Sequence, residues 1–411
     1  MSEFSRDLAV VGAGHIGLPW AAVLAADGEK SVTCVDIDES RVDQIENKEA
    51  PFNEPGLTER LETGIESGRL QATTDLSVVS DHRYVAFTVN APRHEMDKFL
   101  DTLREYTPHL SPNQTIISRT TLPIHMIPRM QEVLAEELMD PPGFVVFPER
   151  LAEGKAIEEI LMLPKVIGAD TATAKGRMED LLQPLEGDLK FTTPRTAMFV
   201  KLIDNTYRDA LFAVTNQIAY AADVLGLNSQ KAIALANNDY PRNDIPSPGP
   251  VGGKCLPKDP HFLMDETICD QPTTPDLFSS TRRTNASLTS YVSTEVLKRA
   301  PSKVAILGLT YKAGVDDTFQ SPAADLRDVL VEQGVDTDAH DPHVPGNESL
   351  EGALTDADVV VLAVNHDEFS GIEPLIEEHT PDDSVIYDLW GHLDGETLDR
   401  LYDGLGINED S

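Results

Sequence analysis

Basic residues are scarce in this chain. Against 33 Lys and Arg stand 70 Asp and Glu, a formal net charge of −37 over 411 residues. An imbalance of that size repels phosphate backbones and anionic head groups, which argues against nucleic-acid and membrane partners. Cysteine is scarcer still. Cys34, Cys255 and Cys269 are too few and too scattered for a disulfide framework or a zinc site, so no metal is expected. No apolar run reaches the ~18 residues of a membrane span and no secretory h-region is present. The sequence therefore predicts a cytoplasmic protein. Aromatic residues make up 6% of the chain, yet 40% is hydrophobic and the acids are spread throughout, which excludes disorder. The length suits two or three domains with a sizeable core. The acidic surface reads as an adaptation to high salt, where a short Debye length weakens self-repulsion. The expected setting is the cytoplasm of a salt-accumulating halophile.

What is present begins with a glycine-rich turn. The apolar strand Leu8–Val11 runs into Gly12-Ala13-Gly14-His15-Ile16-Gly17, an apolar helix follows over Leu18–Ala26, and a second strand, Ser31–Val35, ends at Asp36. In this context GxGxxG is a dinucleotide fingerprint. Gly12 makes the tight turn, Gly14 admits a pyrophosphate, Gly17 packs helix on strand, and the helix N-terminus faces the phosphate charge. Asp36 suits a ribose diol and opposes a 2′-phosphate, which favours NAD over NADP. Further strands are predicted over Tyr84–Val89, Thr115–Ser118, Gly143–Phe147 and Val166–Gly168, all read as members of a parallel sheet.

A long helical pattern covers Arg195–Leu225 and stops at Gly226, about 45 Å by the rise per residue. On it Lys201, Asn205 and Arg208 share one face. A helix of this length should bridge domains and offer a face for dimerisation. The loop from Asp239 to Pro260 contains Gly252-Gly253-Lys254-Cys255-Leu256-Pro257-Lys258-Asp259. A thiol on a Gly-Gly turn, with an acid four residues on, suits capture of a carbonyl as a covalent adduct. The glycines would let the backbone approach a substrate, and the lysines would favour thiolate. A helix is expected around Thr284–Ala300. A second strand-loop-helix then starts at Val304–Leu309, with a poorly marked strand near Val335–His340 and clearer ones over Asp358–Val364 and Ser384–Asp388. The fold class is α/β: two Rossmann-like parallel-sheet domains joined by a central helical segment with one long helix. The expected domains are 1–190, 191–298 and 299–411.

On these residues the chain resembles the UDP-sugar and GDP-mannose 6-dehydrogenase family over essentially its full length. The landmarks come in the family's order: the fingerprint, Thr121-Leu122-Pro123, Pro148-Glu149-Arg150, Lys201 with Asn205, Gly252-Gly253-Lys254-Cys255, and Gly308-Leu309-Thr310-Tyr311-Lys312. The resemblance implies two successive NAD-dependent oxidations at C6 of a nucleotide sugar. It implies Cys255 as nucleophile, Lys201 and Asn205 as oxyanion stabilisers, Glu149 as acid/base, and Thr121 and Asp259 as holders of the hydrolytic water. It also implies NAD contacts from Gly12, Gly14, His15, Ile16, Gly17, Asp36, Arg41, Asn90 and Thr121. UDP-sugar contacts are implied for Arg150, Leu151, Lys201, Asn205, Arg208, Tyr240, Arg242, Gly252, Tyr311 and Lys312, with the sugar nucleotide held by the third domain of a homodimer or higher homo-oligomer.

The sugar is encoded by mixed signatures. Pro148-Glu149-Arg150, Tyr240-Pro241-Arg242, Asp259-Pro260 and Asn365-His366 resemble the UDP-N-acetylmannosamine branch. Ala152-Glu153-Gly154 and Cys255-Leu256-Pro257-Lys258-Asp259 resemble the glucose and mannose branches. UDP-N-acetyl-D-mannosamine is the expected substrate, and UDP-glucose or UDP-N-acetylglucosamine the alternative. Met198 and Phe319 replace, respectively, a glutamate and an arginine of relatives, which keeps a non-catalytic nucleotide-sugar binder in view. A one-step 3-hydroxyacid dehydrogenase shares the fingerprint and long helix but needs neither Cys255 nor a second α/β lobe.

Overall fold

The apolar run after the N-terminus forms strand β1 (Arg6–Val11), and alternate residues serve opposite faces. Leu8 and Val10 pack with Leu18, Trp20 and Leu24 on one side; Ala9 and Val11 pack with Phe99, Leu103 and Met130 on the other. A sheet buried on both faces explains why its central strands read as unbroken apolar runs. The structure, a computed structural model, describes residues 4–268 and 276–408, so Cys269 lies outside the described residues. The chain divides into two units, residues 1–204 and 205–411.

The first unit holds an eight-stranded sheet. Besides β1 it contains β2 (Val32–Val35), β3 (Leu70–Thr73), β4 (His82–Phe87), β5 (Thr115–Ser118), β6 (Gly143–Val146), β7 (Lys165–Ala169) and β8 (Leu189–Thr192), in the order β3-β2-β1-β4-β5-β6-β7-β8. All neighbours are parallel except β6 and β7. This corrects the expectation of a wholly parallel set, because an apolar run reports burial on both faces and carries no information on direction. The order reverses between β1 and β4, the switch point where doubly wound sheets bind ligands at their C-terminal ends.

The helix Pro194–Leu225 has residues in both units and ends at Gly226, whose φ of +67° gives the left-handed cap expected there. In the second unit the helix foreseen around residues 284–300 is two helices, Leu277–Ala286 and Leu288–Leu297. Near the break Asn285 turns inward and donates to the Asp209 backbone and carboxylate at 2.8 Å. A five-stranded parallel sheet follows: β9 (Lys303–Leu307), β10 (Asp336–His340), β11 (Val359–Leu362), β12 (Val385–Asp388) and β13 (Leu401–Gly404), ordered β10-β9-β11-β12-β13. No helix among the described residues is long and apolar enough to cross a membrane.

Candidate active site

The turn after β1 is built for close approach. Gly12 has φ +96°, and a Cβ on Gly17 would sit 2.0 Å from the Gly12 carbonyl oxygen, whereas around Gly14 the same space is open. Thr88, just past β4, donates its hydroxyl to the Val11 and Gly12 carbonyls at 2.9 and 2.6 Å, tying the two strands of the switch point together. Asp36, just after β2, is buried. Its Oδ2 accepts from the Ala13 N–H at 2.7 Å and lies 3.5 Å from Arg41 Nη1, and its Oδ1 accepts from the Asp38 N–H at 3.0 Å. One acid thus pins the turn and keeps lone pairs for a further donor. The open wall at Gly14, the helix starting at Gly17 and this partly committed carboxylate fit a dinucleotide. His15 and Ile16 lie on the same turn, the His15 ring stacking on Phe52 at 4.0 Å.

In the same unit Thr120 donates its hydroxyl to Val89 O at 2.8 Å, which fixes the buried Thr121 beside it. Met198 is fully buried, and its sulfur accepts from the Leu122 N–H at 3.5 Å, so it supports the Thr121 turn. Lys201 is buried and Asn90 exposed. Glu149 Oε1 accepts from the Arg150 and Leu151 N–H groups at 2.7 and 3.0 Å, and its Oε2 is ion-paired with Arg119. Arg150 reaches Asp204 through Nε at 2.6 Å. Glu54 accepts from the Gly154 and Ala156 N–H groups at 2.8 Å, holding the loop so that Glu153 lies 3.7 Å from His15.

In the second unit Cys255 is exposed, while Cys34, in β2, is buried and its thiol is pushed up to about 12 by burial and by Asp36 and Glu46. Cys255 O accepts from the Lys258 and Asp259 N–H groups at 3.1 and 2.9 Å, so the acid follows the thiol on one turn. Asp259 is fully buried; its Oδ2 accepts from Asn205 Nδ2 at 2.6 Å, and its Oδ1 is buried without a hydrogen-bond partner. The Gly-Gly turn serves the fold more than was expected. A Cβ on Gly253 (φ +79°) would lie 2.7 Å from the Tyr311 ring, and one on Gly252 2.5 Å from Pro322. The glycines therefore admit Tyr311 and Pro322. The lysines are engaged too, Lys254 with Asp317 at 2.5 Å and Lys258 with Asp259 at 3.7 Å. Upstream, Asn216 clamps Gly249 through both amide atoms, at 2.8 and 3.1 Å.

Arg208 is exposed although Asn205 is buried, and Arg242 stacks on the half-exposed Tyr240 with 4.7 Å to its ring centre. Lys312 lies 5.8 Å from the centre of the Tyr311 ring, and Phe319 is exposed. Sequence reasoning missed Arg119, Asn216 and Asp317. Arg119 meets Glu149, Asn216 meets Gly249 and Asp317 meets Lys254 across 30 or more residues, and no local pattern marks these pairs.

Three stretches match the UDP-glucose/GDP-mannose dehydrogenase family: residues 6–186 its NAD binding domain, 195–287 its central domain and 305–395 its UDP binding domain. The UDP-N-acetyl-D-mannosamine dehydrogenase of Pyrococcus horikoshii is 32% identical over 384 residues, 89% of this chain and 90% of that protein. Its counterpart in Methanococcus vannielii is 29% identical over 392 residues, 90% and 88% of the two chains. The solved structure of UDP-D-ManNAc dehydrogenase from Pyrococcus horikoshii superimposes with a TM-score of 0.90 at 28% identity, covering 97% of this chain and 99% of that one.

Proposed function

The chain belongs to the UDP-glucose/GDP-mannose dehydrogenase family and is an NAD-dependent nucleotide-sugar dehydrogenase, and from that premise we propose that it oxidises C6 of UDP-N-acetyl-D-mannosamine from alcohol to carboxylate. The observation that carries the chemistry is an exposed thiol, Cys255, on the turn that carries the buried, Asn205-bonded Asp259. Gly12, Gly14, His15, Ile16 and Gly17 would hold the cofactor's pyrophosphate, Asp36 and Arg41 its adenosine ribose, and Asn90 and Thr121 its far end. Bound NAD supplies the two-electron acceptor for each of the two oxidations.

Lys201 and Asn205, one helical turn apart, stabilise the negative charge that develops on the C6 oxygen. The Cys255 thiolate adds to the aldehyde carbon, and the resulting thiohemiacetal keeps the reactive carbonyl from escaping between the two oxidations. After the second oxidation the sugar is a thioester of Cys255. Water held by Thr121 and Asp259 adds to its carbonyl, Glu149 takes the proton, and the C–S bond breaks to return the thiolate.

For the sugar, the neighbourhood of Glu153 favours the N-acetylated reading. Glu153 lies beside His15 of the cofactor turn, so the Ala152-Glu153-Gly154 likeness to glucose enzymes bears on the cofactor side. Arg150, Leu151, Arg208, Tyr240, Arg242, Gly252, Tyr311 and Lys312 are the proposed sugar-nucleotide contacts. We assign cofactor binding to 1–190, the cysteine loop and dimerisation to 191–298 and the sugar nucleotide to 299–411. A panel of UDP-sugars, each with NAD in molar KCl, tests this reading. Two NADH per UDP-N-acetylmannosamine, at higher kcat/KM than for UDP-glucose or UDP-N-acetylglucosamine, is the expected result. Faster turnover of UDP-glucose refutes the sugar assignment, and one NADH per sugar refutes the two-step chemistry.

A further inference from the structure

Arg119 is a buried cation that the chemistry above leaves without a task. It directly follows β5, is 2% exposed, and its guanidinium lies 4.3 Å from the ring centres of both Trp20 and Phe147. Its Nη2 donates to Glu149 Oε2, while Nε and Nη1 are buried without a hydrogen-bond partner. Arg119 lines a cavity of about 30 Å³ together with Trp20, Phe147, Glu149 and Lys165, room enough for water. Lys165 is already spent on the Leu163 and Glu186 carbonyls.

The lone pairs of the carboxylate can be counted. Glu149 Oε1 accepts two backbone N–H groups and Oε2 accepts Arg119, so three of about four acceptor positions are filled and the open one is on Oε2. A carboxylate held at three points takes up a proton there without turning. A guanidinium packed between two aromatic rings is tolerated only while it is paired, so the two charges stand or fall together. We propose that Arg119 is a positioning residue for Glu149 in the water-consuming last step, a proposal that rests on the thioester reading above. Water oxygen bonds to the thioester carbon, its proton passes to Glu149 Oε2, and Cys255 Sγ leaves as thiolate. The proton then goes to solvent.

Single-turnover kinetics of the full-length enzyme with NAD and UDP-N-acetylmannosamine test this, with intact-protein mass spectrometry to detect a Cys255 adduct. In Arg119→Met both NADH-forming steps should stay within about threefold of wild type, while hydrolysis slows roughly 10- to 100-fold and the adduct accumulates. Arg119→Lys, which keeps the charge and loses the fork, should recover part of that rate and carries the test if the Met variant does not fold. In a Glu149→Gln background Arg119→Met should change hydrolysis by less than about threefold, because its partner is gone. Wild-type hydrolysis in Arg119→Met overturns the proposal. So does an equal slowing in both backgrounds, which would make Arg119 a mere brace. Accumulation of no adduct in Glu149→Gln itself overturns the thioester reading instead.

Discussion

In the proposed mechanism Cys255 is the residue on which the covalent chemistry depends, and its substitution separates the steps. Cys255→Ser should leave NAD binding within about threefold by fluorescence titration and abolish the uronate product, because the thioester cannot form. Production of two NADH per sugar by this variant would refute the covalent route. Asp36 is the proposed determinant of cofactor choice. Its carboxylate already accepts from Ala13 and Asp38, so a 2′-phosphate would meet a fixed negative charge. NAD should be preferred to NADP by at least about tenfold in kcat/KM, or about 1.4 kcal/mol, and Asp36→Asn should narrow that gap. Equal efficiency with both cofactors in the wild type would show that Asp36 does not face the ribose. Arg150 is tied to Asp204 by Nε, which leaves its terminal nitrogens to a ligand. Arg150→Phe should therefore raise the relative kcat/KM for UDP-glucose; an unchanged ratio would remove Arg150 from sugar recognition.

At the scale of elements, the sequence was readable where a strand is buried on both faces and opaque where it is not. β1, β2, β4, β5, β11 and β12 were all foreseen. The unforeseen or poorly marked strands are β3, β8, β10 and β13, and each lies at an end of its sheet. Edge position explains Asp336-Thr337-Asp338-Ala339-His340, whose polar side chains tolerate solvent on one side. The site was legible at the same grain. Spacing pointed to Cys255, Asp259 and the cofactor turn, but not to Arg119 beneath Glu149 or to Tyr311 filling the space over Gly253, since tertiary packing sets both. The second sheet repeats one device of the first. Asp341, one residue past β10, accepts from the Leu309 and Thr310 N–H groups at 2.6 and 3.0 Å and from His343 at 2.9 Å, and its Oδ2 meets His366 at 3.1 Å. Burial alone would raise this carboxyl, but the bonds from His366, Leu309 and His343 outweigh it and hold it well below the usual carboxylate range. A depressed folded value gives stability that is present above the unfolded value near 4 and lost as pH falls toward the folded one. Asp341→Asn should cost about 2–4 kcal/mol at pH 7 by denaturant titration and flatten the acid limb below about pH 4. An unaltered acid limb would assign that sensitivity to other carboxylates.

At the scale of the whole molecule the dominant quantity is the charge of −37. Many described ion pairs are exposed and worth at most about 1 kcal/mol each, too little to offset repulsion in a chain where 70 acids stand against 33 Lys and Arg. The long helix also exposes Phe199, Ile203, Tyr207 and Val214. These positions recur at nearly helical spacing, and an apolar stripe of this kind suits a second copy of the same chain. Pairing would bring two highly negative bodies together, so it needs the same screening as folding does. At roughly 0.1 M salt the Debye length is about 10 Å and at 1 M about 3 Å, so molar KCl should relieve both penalties at once. The expected outcome is a melting temperature that rises by more than about 10 °C from 0.1 to 3 M KCl, with a shift from monomer to dimer by sedimentation over the same range. Phe199→Glu with Tyr207→Glu should hold the protein monomeric at every salt concentration while its melting temperature still rises with salt. If the melting temperature of the wild type is flat across that range, the acidic surface is not an adaptation to salt. If the double variant still sediments as a dimer, the long helix is not the pairing face.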